Sequence, residues 1–136
     1  MACVEELLKS EPDGGISFGN HLLSEKKKVE NFKAGNDIYK VKTFSELTKL
    51  EKNDMFMFES DPGTSVFDLK ESADGVSFKI CGNEDAQITL GLMEDTEYSV
   101  FVNGTDTGRV KTNLSGKLSF SVELDESKEV EIKIQK

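Results

Sequence analysis

Apolar and polar side chains alternate in two short segments near the end of the chain. In residues 116–124 every second position is apolar: Leu118, Phe120, Val122 and Leu124. The same alternation returns at Val130, Ile132 and Ile134, after a polar link over residues 125–128. Because a period of two places successive side chains on opposite faces of a strand, both segments are predicted to be strands with one buried face.

The alternation continues through the C-terminal half of the chain. Residues 76–80, 88–92 and 98–102 follow it, and turn residues separate them at short intervals. Asn103-Gly104 is the strongest hairpin signal, since both residues tolerate the positive φ that a primed turn requires. Short strands at this spacing predict a mostly β protein with an antiparallel β-sandwich.

The segment 98–122 is similar to the strand-turn-strand of immunoglobulin-like and fibronectin-like modules. That resemblance implies an immunoglobulin-like β-sandwich over residues 63–136, with a β-rich N-terminal half, residues 1–62, packed on it. The alternative is one continuous domain over residues 1–136, which a chain of 136 residues permits.

The N-terminal half is less regular. Residues 3–9 could form one or two helical turns ending before Pro12. Residues 16–23 are predicted to be a strand, and residues 24–36 a charged loop anchored by Val29 or Phe32. Residues 37–44 again alternate like a strand.

Residues 43–52 allow two interpretations. Thr43 and Glu46 have the spacing of a capping box, which favours a short helix. Asn53-Asp54 and the apolar run after it instead favour a hairpin whose first arm ends at Lys52. We favour strands and leave the helix as the alternative.

Two apolar features predict a contact surface. Met55, Phe56, Met57 and Phe58 are apolar on both faces of their strand, which is therefore either central and covered on both sides or part of an interface. Phe101 points outward from a strand whose Tyr98 and Val100 point inward. The charged residues 129–136 are interpreted as a protected sheet edge.

The charge excludes several partners. The net charge is −9, and Arg109 is the sole arginine. The one run of basic residues, 26–28, is flanked by Glu25 and Glu30, so neither nucleic acid nor an anionic membrane surface is an expected partner. No segment approaches the roughly 20 apolar residues of a membrane helix.

Residues 1–8 lack the basic start and apolar stretch of a secretory signal, which predicts a cytoplasmic protein. An exported chain whose leader has been removed would have the same sequence. Cys3 and Cys81 lie far apart and outside any Cys-x-x-Cys pair, so both are predicted to be reduced thiols.

Motifs that carry chemistry are scarce, and no catalytic, cofactor-binding or metal-binding residue is predicted. His21 is the only histidine, and neither a nucleophile elbow nor a glycine-rich phosphate loop accompanies it. A calcium-stabilised module stays open as an alternative, because oxygen ligands cluster in predicted loops. These are Asn83-Glu84-Asp85, Glu94-Asp95, and Asn103 with Asp106.

Four segments together resemble small bacterial proteins that are sometimes labelled endosialidase. They are residues 37–44, 48–51, 59–64 and 111–118. The label implies glycan hydrolysis, but sialidases hold the sugar carboxylate with several arginines. Since Arg109 is the only one here, we expect that the chain is not an enzyme.

The sequence therefore predicts a non-enzymatic interaction or assembly module whose partner is a protein, with self-association as one form. The expected route is pairing at an open strand edge, helped by apolar residues around 55–58 or by Phe101. A carbohydrate-binding or calcium-stabilised accessory module is the first alternative. A small glycan hydrolase using acidic residues is the second.

Overall fold

The computed structural model describes residues 3–136 and shows an all-β protein, with 60% of residues in strands. Thirteen strands form two antiparallel sheets that pack face to face, which confirms the predicted β-sandwich. No helix occurs among these residues. The first two residues of the 1–8 segment, which carried the prediction about a secretory signal, lie outside the described part of the chain.

The first sheet has seven strands in the order β1-β2-β7-β8-β13-β10-β11. Their bounds are β1 Leu8–Ser10, β2 Ile16–Phe18, β7 Ser65–Ser72, β8 Gly75–Cys81, β10 Glu97–Val102, β11 Thr105–Lys111 and β13 Val130–Gln135. We call it the seven-stranded sheet.

The second sheet has six strands in the order β12-β9-β6-β5-β4-β3. Their bounds are β3 Lys27–Ala34, β4 Asp37–Phe44, β5 Leu47–Lys52, β6 Met55–Asp61, β9 Ala86–Gly91 and β12 Lys117–Val122. We call it the six-stranded sheet.

Both sheets combine strands from the two sides of residue 62. β1 and β2 join the seven-stranded sheet, while β9 and β12 join the six-stranded sheet. At the centre, the ring of Phe58 meets Phe18 and Phe78 edge to face, with centroid separations of 5.1 and 5.8 Å. These three rings connect the two sheets through one apolar core, a geometry that aromatic pairs favour.

The hairpins follow the turn residues of the sequence. β5 and β6 are joined at Asn53-Asp54, whose φ angles are 53° and 63°, and β10 and β11 at Asn103-Gly104, with 51° and 82°. These are the positive φ values that primed turns need. The favoured reading of residues 43–52 as strands is confirmed, since only Ser45-Glu46 separates β4 from β5.

The predicted helical turns at residues 3–9 are wrong. Glu5 and Glu6 form a turn, and β1 then pairs with β2. The Val4 N–H donates to the carbonyl of Gly19 at 3.1 Å. Seven residues cannot hold a helix alone, so pairing with a neighbouring strand satisfies this backbone instead. The strand predicted over residues 16–23 is shorter than expected, ending at Phe18.

The loop predicted over residues 24–36 is largely a strand, β3. Glu30 and Asn31 together oppose Lys40 on β4, and Asn31 has φ 57°, so the strand contains a β-bulge. The bulge adds one residue between the inward-facing Val29 and Phe32. Their spacing therefore departs from two, and the period that marks a strand is lost from the sequence.

The predicted edge at residues 129–136 is also wrong. β13 lies between β8 and β10, and both neighbours pair with it over several residues. Its charged residues, Glu131 and Lys133, alternate with the buried Ile132. They mark the solvent face of an interior strand, because alternation reports which face a side chain occupies and not which strands lie alongside.

Candidate functional site: an open strand edge and the outer face of the seven-stranded sheet

The predicted interface residues on β6 divide between the core and the surface. Met57 and Phe58 are buried, Phe56 is half-buried and Met55, the first residue of β6, is 71% exposed. A β-bulge at Met57 leaves Leu50 opposite Phe58 and Glu51 opposite Phe56. It turns both Met57 and Phe58 inward, which explains the apolar run. Because β6 pairs with β5 and β9, it has no free edge.

Phe56 covers a glycine on the outer face of the six-stranded sheet. A Cβ placed on Gly91 would lie 3.2 Å from the Phe56 ring, and the Lys117 Nζ lies 4.8 Å from the ring centroid. The ring fills the space that Gly91 leaves, and the lysine covers the ring through a cation–π contact. The Phe56 ring therefore already makes its contacts within the chain, with Gly91 and Lys117.

Phe101 lies on the outer face of the seven-stranded sheet, as predicted, and is half-buried. Its cross-strand neighbour on β13 is Lys133, which itself faces Ser77 on β8. A second half-buried ring, Phe67, lies on β7 opposite Lys79. The outer face therefore presents two aromatic rings with polar side chains between them.

Shallow depressions join these rings. One of about 320 Å³ is lined by Phe67, Lys79 and Glu131, and an adjoining one of about 340 Å³ by Phe101 and Lys133. In the described part of the chain, neither Lys79 nor Lys133 has a carboxylate within 4.0 Å. Among the described residues these two lysines therefore form no direct ion pair, although Glu131 lies opposite Lys79 and lines both depressions.

Lys70, at the rim of the first depression, is paired. It contacts Asp13 at 2.5 Å and Asp68 at 3.3 Å. The contact with Lys70 lowers the pKa of Asp13 to about 2, whereas burial raises the pKa of Asp68. These three groups connect the loop before β2 to β7, and the positive charge of Lys70 is compensated by its two carboxylate partners.

Of the strands formed by residues 3–136, four lie at sheet edges, and three of these carry features that prevent pairing. β1 has only three residues. β3 is bulged and bears Lys27, Lys28, Glu30 and Lys33. In β11, Thr107 and Gly108 together oppose Val100, which makes another bulge. Short length, charge and bulges are the usual protections of an edge.

β12 has none of these protections along its middle. Its residues pair with β9 without any register shift, from Lys117 opposite Gly91 to Val122 opposite Ala86. The exposed side chains of Ser119 and Ser121 are small, uncharged and turned to the outer face. The inward Phe120 is only half-buried, because no strand of the described residues lies beyond β12.

The hydrogen-bond phase of β12 identifies which backbone groups are open. The Leu92 N–H donates to the Gly116 carbonyl at 2.7 Å, one step before Lys117 faces Gly91. Bonded and non-bonded pairs alternate in an antiparallel ladder, so even-numbered residues of β12 bond to β9. The backbone N–H and carbonyl groups of the odd-numbered Ser119 and Ser121 therefore point away from the sheet.

Lys117 has its own partner at the start of this edge. Its N–H donates to the Asn113 Oδ1 at 2.9 Å, and its carbonyl accepts from the Asn113 N–H at 3.0 Å. The open part of the edge is therefore centred on Phe120. The sequence predicted this strand, but strand order is a long-range property that its period does not encode.

His21 and Ser65 form a buried polar pair away from both surfaces. The His21 Nδ1 lies 2.7 Å from the Ser65 Oγ, and both residues are almost fully buried. The His21 Nε2 has no hydrogen-bond partner among the described residues. Burial lowers the pKa of His21, which favours the neutral imidazole. A hydroxyl beside an imidazole is a nucleophile–base pair in form, but solvent does not reach this one.

The loop oxygens considered for calcium make local contacts. Asp85 accepts from the Leu124 N–H at 3.1 Å, Asp95 lies 3.1 Å from the Lys111 Nζ, and Asp106 accepts from the Gly108 N–H at 2.8 Å. Within residues 3–136, no three His, Cys, Asp or Glu side chains are grouped so that they could hold a metal ion. Cys3 and Cys81 are both free.

No protein-family model, curated protein or solved structure matches this chain. The resemblance to the small bacterial proteins and the immunoglobulin-like identity of the sandwich stay predictions. Nowhere in the described part of the chain is there a helix of the length and apolarity needed to cross a membrane.

Proposed function

We propose that this protein is a non-enzymatic assembly module that binds another polypeptide by adding a strand to β12. The observation that carries the proposal is the open, unbulged edge on which Ser119 and Ser121 direct their backbone groups away from β9. An added strand would satisfy those groups and cover the half-exposed ring of Phe120.

The sequence suggested residues 55–58 and Phe101 as the contacts, and the proposal moves the contact to another strand. β6, β10 and β13 each pair on both sides, so none can accept a further strand. Each new backbone hydrogen bond would contribute roughly 0.5–1.5 kcal/mol net. Burying the rest of the Phe120 ring adds to this, which makes binding in the micromolar range a reasonable expectation.

A peptide titration of the isotope-labelled full chain tests the proposal. The probe is a capped peptide with the sequence of residues 116–124, followed by amide NMR and hydrogen exchange. We expect the amides of Ser119 and Ser121 to shift and to become protected. Unchanged exchange at both amides with excess peptide would refute strand addition at β12.

Proline provides the matched control. Ser121→Pro removes an outward N–H without removing a bond to β9, and edge strands tolerate proline at such positions. It is expected to abolish peptide binding, while Ser121→Thr, which keeps the N–H, binds normally. Equal binding by both variants would mean that the peptide docks elsewhere.

A second candidate function is recognition of an anionic glycan by the outer face of the seven-stranded sheet. The specific observation is the pair of rings, Phe67 and Phe101, beside Lys79 and Lys133, which form no ion pair among the described residues. Aromatic faces stack on sugars and lysines attract carboxylates. Calorimetry with uronate and neutral oligosaccharides tests it: Lys133→Gln should weaken uronate binding, and Lys128→Gln, in a remote turn, should not. No heat with any uronate oligosaccharide would remove this candidate.

A further inference from the structure

The sequence of β12 and the residue after it is self-complementary about Phe120. Reading outward from that ring, the residues on the two sides are Ser119 and Ser121, then Leu118 and Val122, then Lys117 and Glu123. Small polar residues thus stand at equal distance from the centre, as do two apolar residues and two opposite charges. An antiparallel pair of identical strands places such residues opposite one another.

We propose that the strand added to β12 is β12 of a second copy of this chain, related by a two-fold axis at Phe120. This inference rests on the proposed function and names its partner. The two six-stranded sheets then become one continuous antiparallel sheet, and each copy supplies the same edge.

The open backbone groups fit this register. Ser119 of one copy faces Ser121 of the other, and these are the residues whose N–H and carbonyl groups point outward. The two residues exchange both of their hydrogen bonds, on each side of the axis. Phe120 then faces its own copy in a non-hydrogen-bonded pair, where Cα atoms approach to about 4.5 Å.

The side chains fit as well. Leu118 lies opposite Val122 on the core side, so the buried layer continues across the axis. The side chains of Lys117 and Glu123 approach each other on the solvent side, twice in the dimer, while the backbone of Lys117 stays bonded to Asn113. The ring of Phe120, half-exposed in one copy, covers its symmetry mate.

Other registers lose these matches. A displacement by two residues toward Ser119 places Lys117 opposite Ser121 and leaves Glu123 facing the turn at residues 113–116. A displacement by one residue opposes outward groups to groups already bonded to β9, and it reverses the faces. A displacement by two residues toward Ser121 keeps open groups opposite one another, but its Lys117–Asp125 pair lies beyond the end of β12 at Val122. The register about Phe120 is the one centred within the residues that pair with β9.

A disulfide trap tests the register. Phe120→Cys, in a Cys3→Ser background, places two thiols on the axis at a Cα separation of about 4.5 Å, which a disulfide accepts. Cys81 stays unreactive because burial raises its thiol pKa to about 11. We expect a covalent dimer after mild oxidation. Ser119→Cys is the control, since its two copies lie about 8 Å apart or more in this register.

Charge exchange tests the same register without cysteine. Lys117→Glu and Glu123→Lys each place like charges opposite one another twice, and each should weaken the dimer about tenfold in sedimentation equilibrium. The double variant should restore wild-type association. Circular dichroism of each variant reports whether the fold is retained, since Lys117 also contacts Phe56.

The outcomes separate this inference from the proposed function. A wild-type chain that stays monomeric up to about 1 mM, while the β12 peptide still protects Ser119 and Ser121, overturns self-pairing and leaves strand addition standing. A dimer without the Phe120→Cys cross-link and without charge rescue also overturns the proposed interface. Absence of both peptide binding and dimer removes both proposals.

Discussion

The imidazole of His21 is buried beside a neutral hydroxyl. Its Nδ1 contacts Ser65, and among residues 3–136 no carboxylate forms an ion pair with the ring that would stabilise a positive charge. In the folded state the proton is therefore bound less readily than in the unfolded chain, whose imidazole titrates near pH 6.5.

This difference predicts that acid destabilises the fold. Below about pH 6.5 the His21 imidazole binds a proton in the unfolded chain more readily than in the folded chain. The free energy of unfolding therefore falls as the pH decreases from 7 to 5. His21→Asn keeps a polar group but no titration, and its free energy of unfolding should vary less over that interval. Urea denaturation at several pH values measures both, and equal slopes would contradict the prediction.

Glycine is required at Gly75, at the start of β8, where it lies against the backbone of β13. A Cβ there would lie 1.8 Å from the Ile134 carbonyl oxygen, which belongs to the backbone and cannot move aside, and φ is 156°. Gly35 in the β3–β4 turn has φ 62° but nothing within 4 Å of the same position.

The two glycines are predicted to tolerate alanine differently. Gly75→Ala should cost about 3 kcal/mol or more, through overpacking against a central strand. Gly35→Ala should cost about 1 kcal/mol, since only the left-handed backbone is penalised. Chemical denaturation monitored by far-UV circular dichroism compares them, and similar losses would contradict the proposed close approach.

At the scale of the element, the alternation of apolar and polar residues predicts strands correctly where it is unbroken. Where a β-bulge interrupts the alternation, the prediction fails or becomes ambiguous. The strands with an unbroken period, such as β12 and β13, are where the sequence predicts them. β3 was missed because the bulge at Asn31 shifts the phase of the alternation. The apolar run of β6 has a local cause, since the bulge at Met57 turns two consecutive residues inward. A bulge is specified by the partner strand, which a local pattern does not contain.

The local sequence pattern of a strand also does not show which strands lie beside it in the sheet. β13 looked like an edge because it is charged, yet it is interior. The alternation in β12 is the same as in an interior strand, yet β12 is the open edge of its sheet. The candidate site could therefore be identified only with the sheet order in hand.

The interior position of β13 predicts a large cost for shortening its side chains. Ile132 is fully buried, and Ile132→Ala should lower the free energy of unfolding by about 2–5 kcal/mol. Ile38 on β4 is 45% exposed, and Ile38→Ala should cost less than about 1 kcal/mol. Equal costs in urea denaturation would mean that β13 does not occupy the centre of its sheet.

At the scale of the whole molecule, the net charge of −9 opposes contact between copies. Long-range repulsion between two acidic bodies outweighs a few exposed ion pairs at low ionic strength, and added salt screens it. Dimerisation through β12 is thus expected to strengthen when NaCl is raised from about 10 mM to about 150 mM. Sedimentation velocity at both concentrations measures this; weaker association in the higher salt would contradict the expectation.

The interior place of the last strand also bears on how the protein is made. Residues 130–135 occupy the gap between β8 and β10, which are both synthesised earlier. On a translating ribosome, those two strands must wait with unpaired edges until the segment that joins them has emerged. The seven-stranded sheet therefore cannot close until residues 130–135 are available, and until then the facing edges of β8 and β10 can pair with other strands.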